Sequence, residues 1–508
     1  MKRNILAMLM AAIMLASSLT ACGGDKTSSE TTTAEQNTQT ENENTGDDLF
    51  AAYRDINLDG RTVKISVSDR VNDMPSSYPY IAGPEELTGE SVADSVYNRN
   101  LEVEKMLSCK LEYEAVKWGW DQVFPNIEIQ VLAGDTAIDY YANQRLGLLH
   151  AGLKGYLLDI ADKSNFNEYY FDLDSDVYYT DYMDQLAIGD KRFVITGDYF
   201  IDTLRASHVL YMNKNIVNNL YGDPDYVYKL VLNDEWTIPK MYEMIAEGYH
   251  DTNGNGTKDE SDQYGLTGQS HWMAFYSFYY STECKTISFD NEGIPYFNEN
   301  NLEMISKITD LFLAINSDNG TWRAPSVPES QKMFTNNQAM FVFFLFVGSM
   351  EDDSMRNFEG LGVVPYPKMD ESQEMYRTLV HDSAGMGAVP VTTVGKAATA
   401  VSAVIQVMST HAHEYLLENY YEVALKSKYS QDAYSAQMLD IVVAGITAPF
   451  EFAYELGFGG DSYFNGITFK PIAQSMSQGA NVVASTYASL LPAAQTRLEE
   501  LIAIYTAD

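Results

Sequence analysis

Residues 251–262 read Asp-Thr-Asn-Gly-Asn-Gly-Thr-Lys-Asp-Glu-Ser-Asp, with side-chain oxygens at alternate positions around a glycine. Numbered as a twelve-residue calcium loop, the run offers Asp251, Asn253, Asn255, the carbonyl of Thr257, Asp259 and Asp262 as donors, with Gly256 at the sharp turn. Calcium takes hard oxygen ligands at this spacing. Lys258 stands where paired loops carry an aliphatic residue, position 12 is a short aspartate, no second loop exists, and Gln263-Tyr264-Gly265-Leu266 does not read as an exiting helix. The expectation is a structural Ca2+ brace, with a solvated Asx-rich turn as the alternative. A weak site, of Kd about 10⁻⁴–10⁻³ M, would suffice for that role wherever calcium is plentiful.

Other chemistries find less support. No Gly-x-Ser-x-Gly elbow, His-Glu-x-x-His, phosphate loop or Cys-His cluster is present. His411-x-His413 is the one close histidine pair, and beside a helix end with no acidic neighbour in sequence it reads as a solvated surface. A glycoside hydrolase needs two carboxylates at a set separation, and 71 acidic residues leave that alternative open. Cys109 and Cys284 could pair or remain apart.

The chain opens with Lys2 and Arg3, an apolar run from Ile5 to Ala16, and Leu19-Thr20-Ala21-Cys22. Such a segment is a secretory signal, too short for an ordinary membrane span. Its ending resembles the bacterial lipoprotein box, which implies acylation of Cys22 after loss of residues 1–21; plain secretion with an incidental cysteine is the alternative. From Gly23 to about Leu49 the chain has no aromatic residue and no proline, so it cannot bury enough apolar surface to order itself and reads as a tether. Loss of residues 1–21 removes Lys2 and Arg3 and no acid, taking the formal charge from −38 to −40. So negative a surface is a poor partner for nucleic acid or anionic lipid headgroups, and no nucleic-acid partner is expected.

The remaining residues must supply the elements that position these groups. Thr62–Asp69 alternates with the period of a strand, and Ser91–Ser108 carries an apolar helical stripe. A second alternation spans Cys109–Val116, a helix lies around Ile127–Ala133, and Ala137–Tyr141 reads as a third strand. Strand, helix, strand, helix, strand opens a parallel α/β domain whose ligands sit beyond the carboxyl ends of the strands. A second domain starts near Arg205: Val209–Lys214 is a strand, Thr237 caps a helix with Pro239 in its first turn, and Phe341–Val347 is a buried strand. Residues 387–391 form another strand, and 397–409 and 484–505 form helices.

Several pieces occur in a telling order: Leu132-Ala133-Gly134 with Ala137-Ile138-Asp139, Tyr211-Met212-Asn213-Lys214, Glu235-Trp236-Thr237-Ile238-Pro239, Phe334 with Asn337-Gln338-Ala339-Met340, and Val364-Pro365-Tyr366-Pro367-Lys368. Behind a lipobox and a polar tether, this order resembles the family 1 extracellular solute-binding proteins, the lipoprotein receptors of carbohydrate ABC transporters in Gram-positive bacteria. Residues 415–445 look like the tail of a clostridial-type subgroup, although Ile238 and the length depart from the usual pattern.

The resemblance implies an α/β, two-lobe periplasmic-binding-protein-like fold of type II, each lobe a mostly parallel sheet flanked by helices, with the ligand in the cleft between them. The expected division is a signal peptide (1–21), lipidated cysteine and tether (22–54), one lobe of 55–202 with 378–428, and another of 205–370 with 430–508. Crossings are expected near 199–206, 371–382 and 425–435. The implied protein is a monomer, not an enzyme, on the outer face of the cytoplasmic membrane, capturing a sugar or oligosaccharide for ABC permease subunits.

Sugars present apolar faces and hydroxyl edges, so aromatic rings and polar side chains are sought where the cleft should lie. These are Trp118, Trp120 and Trp272, with Asp69, Asp139, Asn143, Asp202, Arg205 and Asp382. For each tryptophan, burial in a core is the competing reading, and for each polar residue a cap or a surface position. Trp236 reads as structural and Trp322 is undecided. A peptide receptor and an adhesion lipoprotein are the further alternatives.

Overall fold

The computed structural model describes residues 49–69, 76–119, 121–269, 275–317, 320–420, 432–454 and 466–506. Its strands in chain order are β1 (Thr62–Ser68), β2 (Lys110–Val116), β3 (Tyr140–Gln144), β4 (His208–Asn213), β5 (Tyr264–Gln269), β6 (Ile287–Phe289), β7 (Pro295–Phe297), β8 (Thr321–Ala324), β9 (Ala339–Phe346), β10 (Leu361–Val364), β11 (Thr378–Leu379), β12 (Gly385–Ala388) and β13 (Ile446–Thr447).

The first lobe is built on a sheet of order β12-β3-β1-β2. β1 runs parallel to β2 and β3, and β12 closes the edge antiparallel to β3. Val63, Ile65 and Val67 of β1 are fully buried, which the period-two pattern dictates. The helix Ser91–Leu107 covers this sheet with Val96, Val103 and Leu107. β2 is the free edge and carries Lys110, Glu112 and Glu114 outward, charges that discourage pairing with another chain. Helix Lys396–His411 packs on Ser91–Leu107 and returns late sequence to this lobe.

The second lobe carries the sheet β10-β4-β9-β5-β8. β5 is parallel to β8 and β9, whereas β4 is antiparallel to β9 and β10, so this sheet is evenly mixed rather than mostly parallel. β9 is nearly continuous in apolar residues because helices cover both faces. Thr237 caps the helix Ile238–Glu247 by accepting from the Lys240 N–H. That helix lies so close to the sheet that a Cβ on Gly265 or Gly320 would stand 2.1 or 2.0 Å from the Ile245 carbonyl oxygen. Trp236 is fully buried and its indole donates to the Pro365 carbonyl at 3.0 Å, a structural role as expected. Trp322 lies on β8 with its ring 5.2 Å from Tyr264.

The lobes are joined by extended segments lying side by side. Ser207 bridges Val380 antiparallel, and β11 pairs with β13 in parallel. The His381 amide donates to the Ala206 carbonyl and the Thr378 amide to that of Gly445. The expected third crossing near 425–435 lies largely outside the described residues. Cys109 and Cys284 are separate, buried thiols.

Candidate functional site

The strand directions define where a ligand can enter. In the first lobe the carboxyl ends of β1, β2 and β3 gather with the start of antiparallel β12; in the second, the carboxyl ends of β5, β8 and β9 gather with the start of β4. Residues 380–384 run between them.

Arg145, immediately after β3, is fully buried and donates to the Tyr182 hydroxyl. Its guanidinium lies 5.1 Å from the ring of Phe452, in the short helix Phe450–Ala453 that follows β13. Phe452 belongs to an aromatic wall with Tyr276, Tyr280 and Phe469. Next to it His208, the first residue of β4, accepts or donates at 2.7 Å with the Ser277 hydroxyl and stacks on His381. Burial and the neighbouring His381 hold His208 well below the usual histidine range, so it is neutral. Phe344 and Phe346 flank the two imidazoles. A β-bulge between Val209 and Tyr211 sets Phe344 at φ +62°, and its amide donates to the Tyr366 hydroxyl.

Two amide oxygens at the end of β3, Oδ1 of Asn143 and Oε1 of Gln144, are buried without a hydrogen-bond partner. Buried polar atoms are nearly always paired, so such orphans mark where a water or ligand completes the set. Asn143 otherwise holds Ser66 through its Nδ2. Asp382 is nearly buried, 2.8 Å from His381 Nδ1, and its charge bears on Tyr182. Asp382 therefore lies together with Arg145, Tyr182, His208 and His381, which sequence reasoning missed, and Asn143 stands two residues before Arg145 at the end of β3. The signal for Arg145 was present: reading the third strand as 137–141 instead of 140–144 put its end three residues early.

Of the other expected residues, Asp69 and Trp118 follow the carboxyl ends of β1 and β2, whereas Asp139 does not lie at a carboxyl end. Asp139 precedes β3, at the edge of the sheet opposite the carboxyl ends, where it accepts from the Lys64 amide and meets Arg61 at 3.5 Å. Asp69 ends β1, accepts from the Ser76 hydroxyl and faces Lys117 at 3.7 Å. Trp118 is half-buried, 6.5 Å from Tyr141. Trp120, Trp272 and Cys22 lie outside the described residues.

Asp202 and Arg205, expected at the ligand, are tied into an ion cluster. Arg205 donates through Nε and Nη2 to Glu351 at 3.0 and 2.9 Å and through Nη1 to Asp202 at 3.1 Å. Its guanidinium stacks 4.0 Å over Tyr80. Tyr80 and Tyr420 of the first lobe also donate to the Glu351 carboxylate, which follows β9 of the second. Burial pushes Glu351 up, but Arg205 and these donors outweigh it and hold the carboxyl below its usual range; burial leaves Asp202 above its own. The cluster is a brace across the lobes.

His411-x-His413 also departs from expectation. His411 is buried, and His413 Nδ1 lies 2.6 Å from Asp198, whose side chain is almost fully buried. The acidic partner is remote in sequence, so no local pattern could reveal it.

The 251–262 loop is closed at its neck by mutual amide–carbonyl bonds between His250 and Gln263. Gly254 and Gly256 hold φ of +69° and +70°, which glycine adopts without strain. Asn253 and Asn255 both reach Asp259 Oδ2, at 3.3 and 2.8 Å, so three expected donors already meet. Asp251 accepts from the amides of Gly254 and Gly256, while buried Asp262 accepts from those of Thr252 and Asp259. Donors from Ser261 and Asn255 hold the Asp259 carboxyl far below its ordinary range. Among the described residues no three acidic, histidine or cysteine side chains form a ready-made metal cluster. The donor types fit calcium, with the asparagine oxygens and carboxylates now turned to the loop's own amides. After Asp262 the chain enters β5, not a helix, as expected.

No protein-family model and no curated protein matches the chain. Solved structures do match across nearly their whole length. UgpB from Mycobacterium tuberculosis, in complex with glycerophosphocholine, aligns at TM-score 0.53 and 13% identity over 87% of this chain and 99% of its own. The fold is that of a two-lobe solute-binding protein. The maltose/maltodextrin-binding MalE domain of Bdellovibrio bacteriovorus, bound to maltotriose, aligns at 0.51 and 13% over the same shares. The ABC transporter associated binding protein of B. animalis subsp. lactis Bl-04, with β-1,6-galactobiose, aligns at 0.50 and 16% over 87% and 98%.

Proposed function

We propose that this protein is a carbohydrate-capturing solute receptor. It holds a sugar or short oligosaccharide between its lobes, acts by binding rather than by catalysis, and presents its cargo to the permease subunits of an ABC transporter. The observation that carries the reading is that the end of β3 holds two buried amide oxygens without a partner and, next in the chain, Arg145, whose guanidinium lies 5.1 Å from the Phe452 ring of the aromatic wall. Aromatic faces take the C–H faces of a sugar ring, and amide oxygens accept from its hydroxyls. The fold likeness supports the same reading, since MalE and the B. animalis protein were solved with saccharides. The reading is completed by loss of residues 1–21, acylation of Cys22, and a Gram-positive, clostridial-type cell whose outer membrane face the monomer occupies. In that setting Ca2+ in the 251–262 loop braces the second lobe.

A thermal-shift and calorimetric panel of mono- and oligosaccharides, with calcium present, tests it. A ligand bound only by the folded state adds about 2.7 kcal/mol at a hundredfold excess over Kd. A flat response across plant, host and bacterial glycans refutes the proposal, as does glycan turnover by the purified protein.

A further inference from the structure

A groove of 480 Å³ lies outside the cleft, between the helices that cover the first sheet. Its walls are Asn98 and Glu102 of the helix Ser91–Leu107, and His411, Tyr415 and Asn419 of the helix that begins at Lys396; Phe50 closes one end. The volume falls within the roughly 300–1,000 Å³ typical of small-ligand sites.

Three features mark it as more than a gap between helices. First, the second wall is not regular α-helix: residues 412–416 wind as π-helix, a rare form that inserts an extra residue per turn and recurs at functional sites. Second, His411 is 8% exposed, and its Nδ1 is sealed from water without a hydrogen-bond partner. Third, the rings of Phe50 and Tyr415 lie 6.2 and 4.8 Å from the imidazole, so three aromatic groups gather at one place.

The chemistry of the lining narrows the ligand. No cationic side chain lines the groove and Glu102 does, so phosphate, sulfate and uronate are disfavoured. Burial, and then nearby Arg99, lower His411 to about 4, so the imidazole is neutral and offers a donor and an acceptor rather than a charge. The Asn98 side chain makes no hydrogen bond, whereas Asn419 donates through Nδ2 to Ser95 Oγ and the Tyr415 carbonyl at 2.7 and 2.8 Å and leaves Oδ1 with only a 3.5 Å contact from the Ser91 hydroxyl. Asn98 thus offers a donor and an acceptor and Asn419 an acceptor to hydroxyl groups, whereas an ammonium ion would leave the Asn98 N–H groups unused.

We infer that this groove is a second saccharide site, binding one neutral sugar ring against Tyr415 and Phe50 with Asn98, Glu102 and Asn419 around its hydroxyls. The site is independent of the cleft and stands whether or not the cleft binds sugar. Open to solvent and shallow, it is the weaker site, suited to retaining chain ends of a glycan near the receptor.

Saturation-transfer NMR and calorimetry on the full chain with calcium test this, with maltose and β-1,6-galactobiose as probes and choline as the cationic control. The expected result is a weak saccharide signal that persists when the cleft is saturated or unreactive. That signal falls at least severalfold in Asn98→Trp, which fills the groove, and in Tyr415→Ala. Both positions are exposed, so unchanged melting temperatures are expected. A signal unaffected by both substitutions, no weak saccharide signal, or capture of choline in place of the sugars overturns the inference.

Discussion

Glu351 gathers four donor atoms, two from Arg205 and one each from the Tyr80 and Tyr420 hydroxyls. Replacing Arg205 with Met leaves the carboxylates of Glu351 and Asp202 buried without their counter-charge. Breaking one partner of a buried pair costs about 3–5 kcal/mol, so urea unfolding of Arg205→Met should show a loss of that order. Glu351→Gln should cost less, because it keeps an acceptor for both tyrosines while losing the charge. The pair His413–Asp198 predicts a pH dependence. Hydrogen bonding to Asp198 raises the His413 pKa above its ordinary 6.5, against the opposing effect of burial. A raised folded-state pKa gives stability that is fully present below about pH 6.5 and fades as pH climbs through the raised value. Burial also raises Asp198, which acts in the same direction at lower pH. The melting temperature of the wild type should therefore drop between pH 6 and pH 8.5 by more than that of His413→Gln. Neither pair was legible in the sequence, because Glu351 and Asp198 meet their partners only through the fold. Trp236 and the Thr237 cap were legible, since they follow from local pattern.

At the scale of elements, the acidic loop is the clearest case. Its neck joins the end of the helix Ile238–Glu247 to the start of β5, and the rings of Tyr249 and Tyr264 meet there at a tilt, 5.6 Å apart. Calcium should raise the melting temperature, and a chelator should reverse the gain. Asp262→Asn should remove the calcium response and also destabilise the calcium-free protein, because buried Asp262 accepts from two amides and the Tyr249 hydroxyl. A melting temperature indifferent to calcium would refute the brace. Strand periodicity located β1 and β2, apolar runs placed β4 and β9 within two residues but set β12 too late at 387–391, and the helices Lys396–His411 and Val483–Thr506 lay within two residues of expectation. It misplaced β3 because Ala137-Ile138 continues the apolar run before the strand begins, and that shift hid Arg145 as a cleft residue. Pairing direction was also illegible: nothing local distinguishes antiparallel β4 and β10 from parallel neighbours.

For the whole molecule, a ligand that contacts both lobes must favour their approach, because only differential contact can shift such an equilibrium. Small-angle scattering should show a smaller radius of gyration with a bound saccharide, and no change with one that binds only the surface groove. The formal charge of −38, or −40 without residues 1–21, sets a condition on any protein partner: under the proposed function, a permease face that docks this chain gains from basic residues, and that association should weaken with salt. The pairing of β12 with β3, with Gly387 opposite Ala142, bears on how the chain is made. The first sheet stays incomplete until the sequence beyond residue 388 is available, whereas every strand of the second sheet lies between 208 and 364. A chain emerging from its N-terminus can therefore finish the later lobe before the earlier one. Closing so long a loop is slow, so refolding should proceed in two phases, with the first lobe's sheet formed last and its unpaired β3 edge open to aggregation meanwhile.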